Sequence, residues 1–202
     1  MNETYEYLSF CAKPRCLPRV AARILEVGPS AVAHAGGIFY GLWVGQIGLG
    51  SNEGILMTAA EPSARRALDG VEDVVDSRLE SLIASVRPER PVPPREPGVY
   101  AHRWFELRDS DWPEFVELST RAWPEFERSF DSQILGLWRS GDVEPPRARA
   151  LLLTRYPSLA MWERSRGERA RSERESAIWQ RFVRRHRLTD STVVVTTRLL
   201  TA

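Results

Sequence analysis

The chain is poor in the residues that build metal sites and disulfide frameworks. Its 202 residues include three histidines and only two cysteines, Cys11 and Cys16. Two cysteines this close in sequence provide neither a set of metal ligands nor a disulfide framework. We therefore expect reduced thiols, no metal, no cofactor and a cytoplasmic location.

Long hydrophobic runs and an excess of charge of one sign are also missing. No apolar stretch approaches the roughly 20 residues that a membrane-spanning helix needs. The first ten residues, MNETYEYLSF, lack the basic and apolar regions of a signal peptide. The formal net charge is +1, so we expect neither nucleic acid nor a membrane as a partner. Tryptophan is abundant, with seven residues, which predicts an aromatic-rich interior.

The tripeptide GLW occurs twice, at residues 41–43 and 136–138. Sliding the chain by 95 positions also aligns other residues, and the register runs without a gap over some 60 positions. The aligned pairs are Tyr5 with Tyr100, Phe10 with Phe105, Pro18 with Pro113, Pro29 with Pro124, Leu56 with Leu151, and Pro62-Ser63 with Pro157-Ser158. The last strands align at an offset of 120, Val74–Leu82 with Val194–Ala202. The pattern indicates one duplicated domain with an insertion in the second copy.

Each copy alternates strand and helix patterns. The aromatic, alternating segments TYEYLSFCA and VYAHRWFEL predict the first strands. A helix follows each; Asp111 and Glu114 have capping-box spacing, and Pro29 and Pro124 are expected to kink or end these helices. The segments EPSARRALDG and YPSLAMWER each predict a second helix.

The resulting order, β-α-β-β-α-β twice, is ferredoxin-like. A four-stranded sheet with its helices on one face leaves the other face bare. We therefore predict an α+β fold in which two tandem ferredoxin-like repeats close into a dimeric-type α/β barrel within one chain. A homodimer with barrel halves exchanged between chains is the alternative. The predicted units are repeat 1 (residues 1–90), a Pro-rich linker (91–98), and repeat 2 (99–202) with an extended second helix.

Several segments carry a family resemblance. They are VYAHRWFELRDSDWPEFVELSTRAWPEFE, LGLWRS, ALLLTRYPSLAMWER, WQRFVRRHRL and VVVTTRLL. This pattern resembles the NIPSNAP family, most closely over 99–200 and more loosely over 4–86. The resemblance implies a dimeric α+β barrel, like that of antibiotic-biosynthesis-type monooxygenases, with an internal pocket. It transfers no catalytic residues.

Every second residue of the two first strands is polar or aromatic: Tyr5, Tyr7, Ser9, Cys11, Tyr100, His102, Trp104 and Glu106. In a barrel this set points inward. His102 and Glu106 are then candidate catalytic acid–base residues with pKa values moved by burial. The three tyrosines and Trp104 are candidate ligand-binding residues. The alternative is a satisfied polar network or a solvated strand end.

Two arginines, Arg78 and Arg198, occupy equivalent positions when the last strands are aligned. Inside a barrel they would pair with Glu106 or bind the carboxylate of a ligand. The alternative is that both are exposed at strand ends.

The region 163–187 contains nine arginines and four glutamates. Mixed charges at short spacing favour an exposed helix with side-chain pairs, and phosphate or nucleic-acid contact is the alternative. His186 lies on the apolar edge of this helix, and some relatives of this fold bind haem through a helix histidine. The arginines beside His186 instead indicate a solvated helix end.

Together these features predict a NIPSNAP-like protein that binds a small organic molecule in an aromatic and polar cavity between two sheets. One alternative is a cofactor-independent monooxygenase, isomerase or cyclase that uses His102 or Glu106 as a base. The other is a non-catalytic scaffold that docks a partner through the helix at 160–187.

Overall fold

The computed structural model describes residues 4–166 and 177–201. The strands of the first half are β1 (Thr4–Ala12), β2 (Gly37–Ile47), β3 (Glu53–Ala60) and β4 (Val74–Ala84). Those of the second half are β5 (Val99–Arg108), β6 (Gln133–Ser140), β7 (Arg147–Tyr156) and β8 (Thr189–Leu200). The helices are α1 (Leu17–His34), α2 (Trp112–Phe130), α3 (Leu159–Arg164) and α4 (Ala177–Arg187).

The eight strands form one closed barrel in the order β1-β3-β2-β8-β5-β7-β6-β4, and all neighbours are antiparallel. Each half is a four-stranded sheet of ferredoxin-like order, β4-β1-β3-β2 and β8-β5-β7-β6. The halves join where β2 pairs with β8 and β4 with β6. The prediction of two tandem ferredoxin-like repeats closing into a barrel within one chain is confirmed.

The helices cover the outside of the barrel. Leu8 and Phe10 on β1 pack against apolar residues of α1, and Phe105 and Leu107 on β5 pack against Phe115 of α2. The opposite side chains of the same strands face the barrel interior. Strand parity therefore separates an outer core under the helices from an inner core between the sheets. In the described ranges no helix is long and apolar enough to cross a membrane.

The two GLW segments have matching geometry. The register of β2 on β3 shifts just before Gly41, and that of β6 on β7 shifts just before Gly136. A Cβ on Gly41 would lie 2.4 Å from the ring of Trp43, and one on Gly136 would lie 2.3 Å from the ring of Trp138. Each glycine therefore leaves room for a fully buried tryptophan ring to fold back over the strand.

The gapless 95-residue alignment is wrong at the third strands. The pairing of β3 on β1 and of β7 on β5 makes Leu56 equivalent to Leu152, not to Leu151. Leu56 packs beneath α1, whereas Leu151 faces the barrel interior. The second half has one more residue than the first between its second and third strands. One extra residue is enough to move a side chain to the opposite face of a sheet.

The alignment of the last strands is also wrong. Tyr5 pairs with Leu82 and Tyr100 pairs with Thr197, so β4 and β8 are offset by 115 positions rather than 120. The position equivalent to Arg198 is therefore Ile83. Arg78 and Arg198 do not correspond.

The second helix of the first half is shorter than predicted, since it is a single 3-10 segment, Ala64–Leu68. The carboxylate of Glu6 accepts hydrogen bonds from the backbone N–H groups of Ser63 and Ala64, both at 2.6 Å. These bonds satisfy the first donors of the segment.

The first helices do not end at the prolines that were expected to kink or end them. Both α1 and α2 continue past Pro29 and Pro124, which lie on the exposed helix faces, where water can satisfy the carbonyl that proline leaves unpaired. The capping box at Asp111 does not form. Its carboxylate instead accepts a hydrogen bond from Arg108 Nε at 2.9 Å.

Candidate functional site

A continuous column of rings fills the space between the two sheets. Ring centroids are 5.9 Å apart for Tyr100 and Trp43, 5.2 Å for Trp43 and His102, 5.7 Å for His102 and Tyr7, and 5.2 Å for Tyr7 and Trp104. Most of these contacts are edge to face, the arrangement that aromatic quadrupoles favour. We call these five residues the aromatic column.

A second ring cluster lies at the lower end of the barrel, where β1 and β5 begin. Tyr5 contacts Tyr40 and Trp138, each at 5.3 Å between centroids, and Tyr40 and Trp138 are 6.2 Å apart. All three are buried. At this level aromatic side chains occupy the interior where an open cavity was predicted.

His102 lies at the centre of the aromatic column and is fully buried. The Thr197 hydroxyl donates its hydrogen to the carbonyl of Tyr100 at 3.2 Å, so it accepts the hydrogen bond from His102 Nε2 at 3.0 Å. This assigns the proton to Nε2 and leaves Nδ1 with a lone pair and no hydrogen-bond partner among the described residues. Burial lowers the pKa of His102 to about 3. The site therefore holds a neutral imidazole with one bare nitrogen.

An ion pair closes the column at the upper end of the barrel, where β1 and β5 end. The guanidinium of Arg149 lies 4.3 Å from the ring centroid of Trp104 and 3.3 Å from a carboxylate oxygen of the buried Glu80. Burial raises the pKa of Tyr7, and Glu80 raises it further. Sequence reasoning missed Glu80 and Arg149. The sequence signal for Glu80 was its position on β4, two residues before the inward-facing Leu82, which places both side chains on the same face of the strand.

The structure does not bring Glu106 to His102. Glu106 is exposed near the end of β5, opposite Arg149 and Ser191 on the neighbouring strands. Four residues of strand separate it from His102, or about 13 Å. Any acid–base chemistry at His102 therefore has Tyr7, rather than Glu106, as its ionisable neighbour.

The predicted pairing of Arg78 and Arg198 with Glu106 inside the barrel is wrong. Both arginines are exposed. Arg198 lies on the outer face, because its neighbours Thr197 and Leu199 point inward. Arg78 lies opposite Ser9 near the upper end of β4, beyond the part of β4 that pairs with β6.

A cleft opens at the lower end of the barrel, beneath the linker. Residues 85–98 form no strand or helix and run from the end of β4 to the start of β5. Together with α2 and β6 they enclose a volume of about 850 Å³. Its lining includes Tyr40 and Leu135, which belong to the inner core, and the linker residues Val86, Pro88, Val92, Pro93 and Pro94. We call this volume the linker cleft.

The linker is fastened on both sides of the cleft. Arg87 donates to the carboxylate of Glu127 at 2.7 Å and to the carbonyl of Ile134 at 3.0 Å, and its guanidinium lies over the Trp123 ring. At the other end, Arg155 donates two hydrogen bonds to the carbonyl of Pro97, at 2.9 and 2.7 Å. These contacts hold the walls of the cleft in place.

His186 does not lie in a pocket of haem size. It is exposed in the last turn of α4 and borders a volume of about 210 Å³ that also contains arginines. Drug-sized ligands occupy roughly 300–1,000 Å³, so the described residues do not fit haem at this position. Residues 167–176 of the basic run at 163–187, which was predicted as an exposed helix, lie outside the described residues. Elsewhere in the described chain no group of three His, Cys, Asp or Glu residues is placed to hold a metal ion.

No family model matches the sequence, and no curated protein sequence matches it either. Solved structures do match. A proposed monooxygenase from Lactobacillus acidophilus NCFM is 10% identical with a TM-score of 0.60, covering 100% of this chain and 97% of that one. An anthrone oxidase-like protein is 10% identical with a TM-score of 0.61, covering 98% and 91%. A variant of chlorite dismutase from Candidatus Nitrospira defluvii is 11% identical with a TM-score of 0.56, covering 98% and 91%.

These similarities extend over nearly the whole of each chain, at identities that carry information on the fold alone. They agree with the strand order and the closed barrel described above. The chain is an α+β barrel of two ferredoxin-like halves, the architecture that in other proteins is built from two subunits or two domains.

Proposed function

We propose that the protein binds a small, planar, largely apolar molecule in the linker cleft. The observation that carries this proposal is the cleft itself, an open cleft of about 850 Å³ whose floor belongs to the inner core of the barrel. That volume lies within the range of natural small-molecule sites. The NIPSNAP resemblance and a cytoplasmic location remain proposals alongside it.

The floor and walls of the cleft suit an apolar, flat ligand. Tyr40 and Leu135, both buried members of the inner core, line the floor. Prolines and valines of the linker form the opposite wall, so both faces of a flat molecule would contact apolar atoms. Removing that surface from water is the main source of affinity in such sites.

The rim of the cleft is charged. Arg90, Arg95, Glu89 and Glu96 line it, and each is exposed. Charges of both signs at the rim leave the apolar floor as the main determinant of affinity, while a polar group on the ligand would remain near water.

A titration with anthrone tests the proposal, because an anthrone oxidase-like protein shares this fold. We expect anthrone, added without oxygen, to quench tryptophan fluorescence saturably. Leu135→Ala should weaken binding about tenfold, since each buried methylene contributes about 0.8 kcal/mol. The matched control is Leu49→Ala, which truncates a leucine packed against the same inner core outside the cleft. Equal loss in both variants would contradict binding in the linker cleft.

A second candidate is cofactor-independent oxygenation, with His102 as the base. The bare, neutral Nδ1 of a buried imidazole favours it. On anthrone, Nδ1 would accept a proton from the CH₂ carbon; one atom of O₂ would then bond to that carbon and the other would leave as water, giving anthraquinone. The substrate would have to pass from the cleft into the column, so this candidate requires displacement of buried rings.

The same titration in air separates the two candidates. Oxygenation predicts O₂ uptake equal to the anthraquinone formed, and loss of that uptake in His102→Gln with anaerobic binding unchanged. Binding without O₂ uptake supports the binding function and contradicts the oxygenase. Tyr7 and Trp104, which contact His102 or its neighbour, are then proposed as side chains that orient the substrate.

A further inference from the structure

A cluster of cationic side chains borders a small pocket on the outer face of the second half. The pocket encloses about 210 Å³ between the outer face of β5 and β8, the end of α3 and the last turns of α4. Its polar lining consists of Arg103, Arg166, Arg185, His186, Thr189 and Thr192. We call it the arginine pocket. It lies outside the barrel and apart from the linker cleft.

Arg185 is held at the wall of the pocket by contacts with two aromatic rings and a hydroxyl. Its guanidinium lies 5.6 Å from the ring of Phe105 and 5.7 Å from that of Phe115, and it donates to Ser119 Oγ at 3.4 Å. Burial, together with the nearby charge of Arg166, lowers the pKa of Arg185 to about 10. A second positive charge is thus close enough to oppose the first.

The neighbouring arginine on the same helix behaves differently. Arg184 forms an ion pair with Glu114 of α2. Within 4–166 and 177–201, no carboxylate lies within ion-pair distance of Arg103 or Arg166. Among the described residues, Arg103 and Arg166 are therefore not neutralised by an acid, whereas Arg184 is.

Converging positive charges cost free energy that an anion would recover. A guanidinium presents a planar fork of donors that matches the oxygens of phosphate, and the Thr192 hydroxyl adds a further donor. A volume of about 210 Å³ is below that of drug-sized ligand sites, which favours a small ion or a single charged group.

We propose that the arginine pocket binds a tetrahedral oxyanion, either inorganic phosphate or the phosphoryl group of a small monoester. The guanidinium groups of Arg103, Arg166 and Arg185 bind its oxygens, and the Thr192 hydroxyl donates from the β8 side. His186, considered above as a haem ligand, borders this anion site.

Isothermal titration calorimetry with sodium phosphate, at constant ionic strength set by chloride, tests the proposal. We expect saturable binding to the full chain, about tenfold or more weaker in Arg103→Gln, because a hydrogen bond to a charged group is worth about 1.5–3 kcal/mol. The matched control is Arg108→Gln on the same strand, which removes the same charge where Arg108 pairs with Asp111 outside the pocket. Arg108→Gln should bind phosphate as tightly as the parent.

Arg166→Gln is a second variant. Because the Arg166 side chain is exposed, this substitution should not disturb folding, and a loss of binding would report on the pocket. It should weaken binding while its thermal unfolding without phosphate matches that of the parent. Tighter binding of glycerol 3-phosphate than of phosphate would identify a phosphomonoester as the ligand, and the reverse order would identify the free ion. Absence of saturable binding by both, or equal affinity of Arg103→Gln and Arg108→Gln, would overturn the proposal.

Discussion

His102 has an environment that strongly favours its neutral form. The ring lies between Trp43 and Tyr7, and its one hydrogen bond to a described residue runs from Nε2 to Thr197. A protonated imidazole here would have no carboxylate partner among the described residues. Desolvation therefore lowers its pKa to about 3, and the residue remains an uncharged base across the physiological range.

This shift makes the stability of the protein depend on pH. Below pH about 6.5 the unfolded chain protonates this histidine, whereas the native state resists protonation until pH about 3. The native state binds fewer protons in that window, so the free energy of unfolding falls as pH decreases. Between pH 7 and pH 5 this group should remove about 2 kcal/mol. Urea unfolding at both pH values measures the loss.

The comparison variant is His102→Gln, which removes the titrating group and should lose about 2 kcal/mol less over the same pH interval. The control is His34→Gln, because His34 is exposed at the end of α1 and no buried imidazole is lost. If the free energy of unfolding depends on pH in the same way in the parent and in His102→Gln, the inference that His102 is buried and neutral is wrong.

At the scale of elements, the second strands of the two halves share one local geometry. A register shift precedes Gly41 in β2 and Gly136 in β6, and the tryptophan two residues later folds back over the glycine. The shift and the missing Cβ together aim a large ring into the inner core. Trp43 and Trp138 thereby become matched anchors, one in each half.

Replacing either glycine with alanine should destabilise the protein. The new Cβ would lie 2.4 Å from the Trp43 ring in Gly41→Ala and 2.3 Å from the Trp138 ring in Gly136→Ala. Both rings are packed on all sides, so we expect a loss of about 2 kcal/mol in each variant, as for other overpacked cores. Urea unfolding measures this loss.

Gly141→Ala is the control for these variants. The nearest atoms to a Cβ at Gly141 are 3.7 Å away, an ordinary contact, so the free energy of unfolding should change by less than about 0.5 kcal/mol. Variants at Gly41 and Gly136 that match this control would show that the rings can move aside and that the glycines are not required.

At the scale of the whole molecule, closure of the barrel is the main feature. The strand order returns from β4 to β1 within one chain, and the contacts between halves are β2 with β8 and β4 with β6. The inner core takes residues from both halves, including Tyr5 from the first and Trp138 from the second. Neither sheet has its inner face exposed to water, so the barrel does not need a second copy to cover it.

We therefore expect a monomer in solution. Sedimentation equilibrium should give one species of 23.0 kDa at all concentrations. A species of twice that mass would indicate that the halves are exchanged between two chains, the arrangement that the sequence left open.

Individual residues show where sequence reasoning succeeded. The repeated glycines and tryptophans predicted two equivalent halves, because bulged strands with folded-back rings need these residue types. Alternation in TYEYLSFCA and VYAHRWFEL sorted inner from outer side chains correctly for Leu8, Phe10 and Phe105. Both inferences rest on periodicity along one strand, which the sequence carries directly.

The failures involve relations between strands. Sequence similarity paired Leu56 with Leu151 and Arg78 with Arg198, but hydrogen-bond register decides such equivalences, and it depends on hairpin and loop lengths. Alternation along β5 also predicted that Glu106 points into the barrel. Glu106 is instead exposed, because it lies near the end of β5, beyond the part of the interior that other strands cover. How far along a strand the interior extends is set by the neighbouring strands.

The sequence by itself determined the duplication, the alternation of strands and helices, and the inward-facing residues of the first strands, because these depend on local periodicity. Only the tertiary structure decided that rings fill the interior, that Glu80 and Arg149 close one end, and that the linker encloses a cleft at the other. Those features arise where segments far apart in the chain meet, and their distances follow from packing and register rather than from residue type.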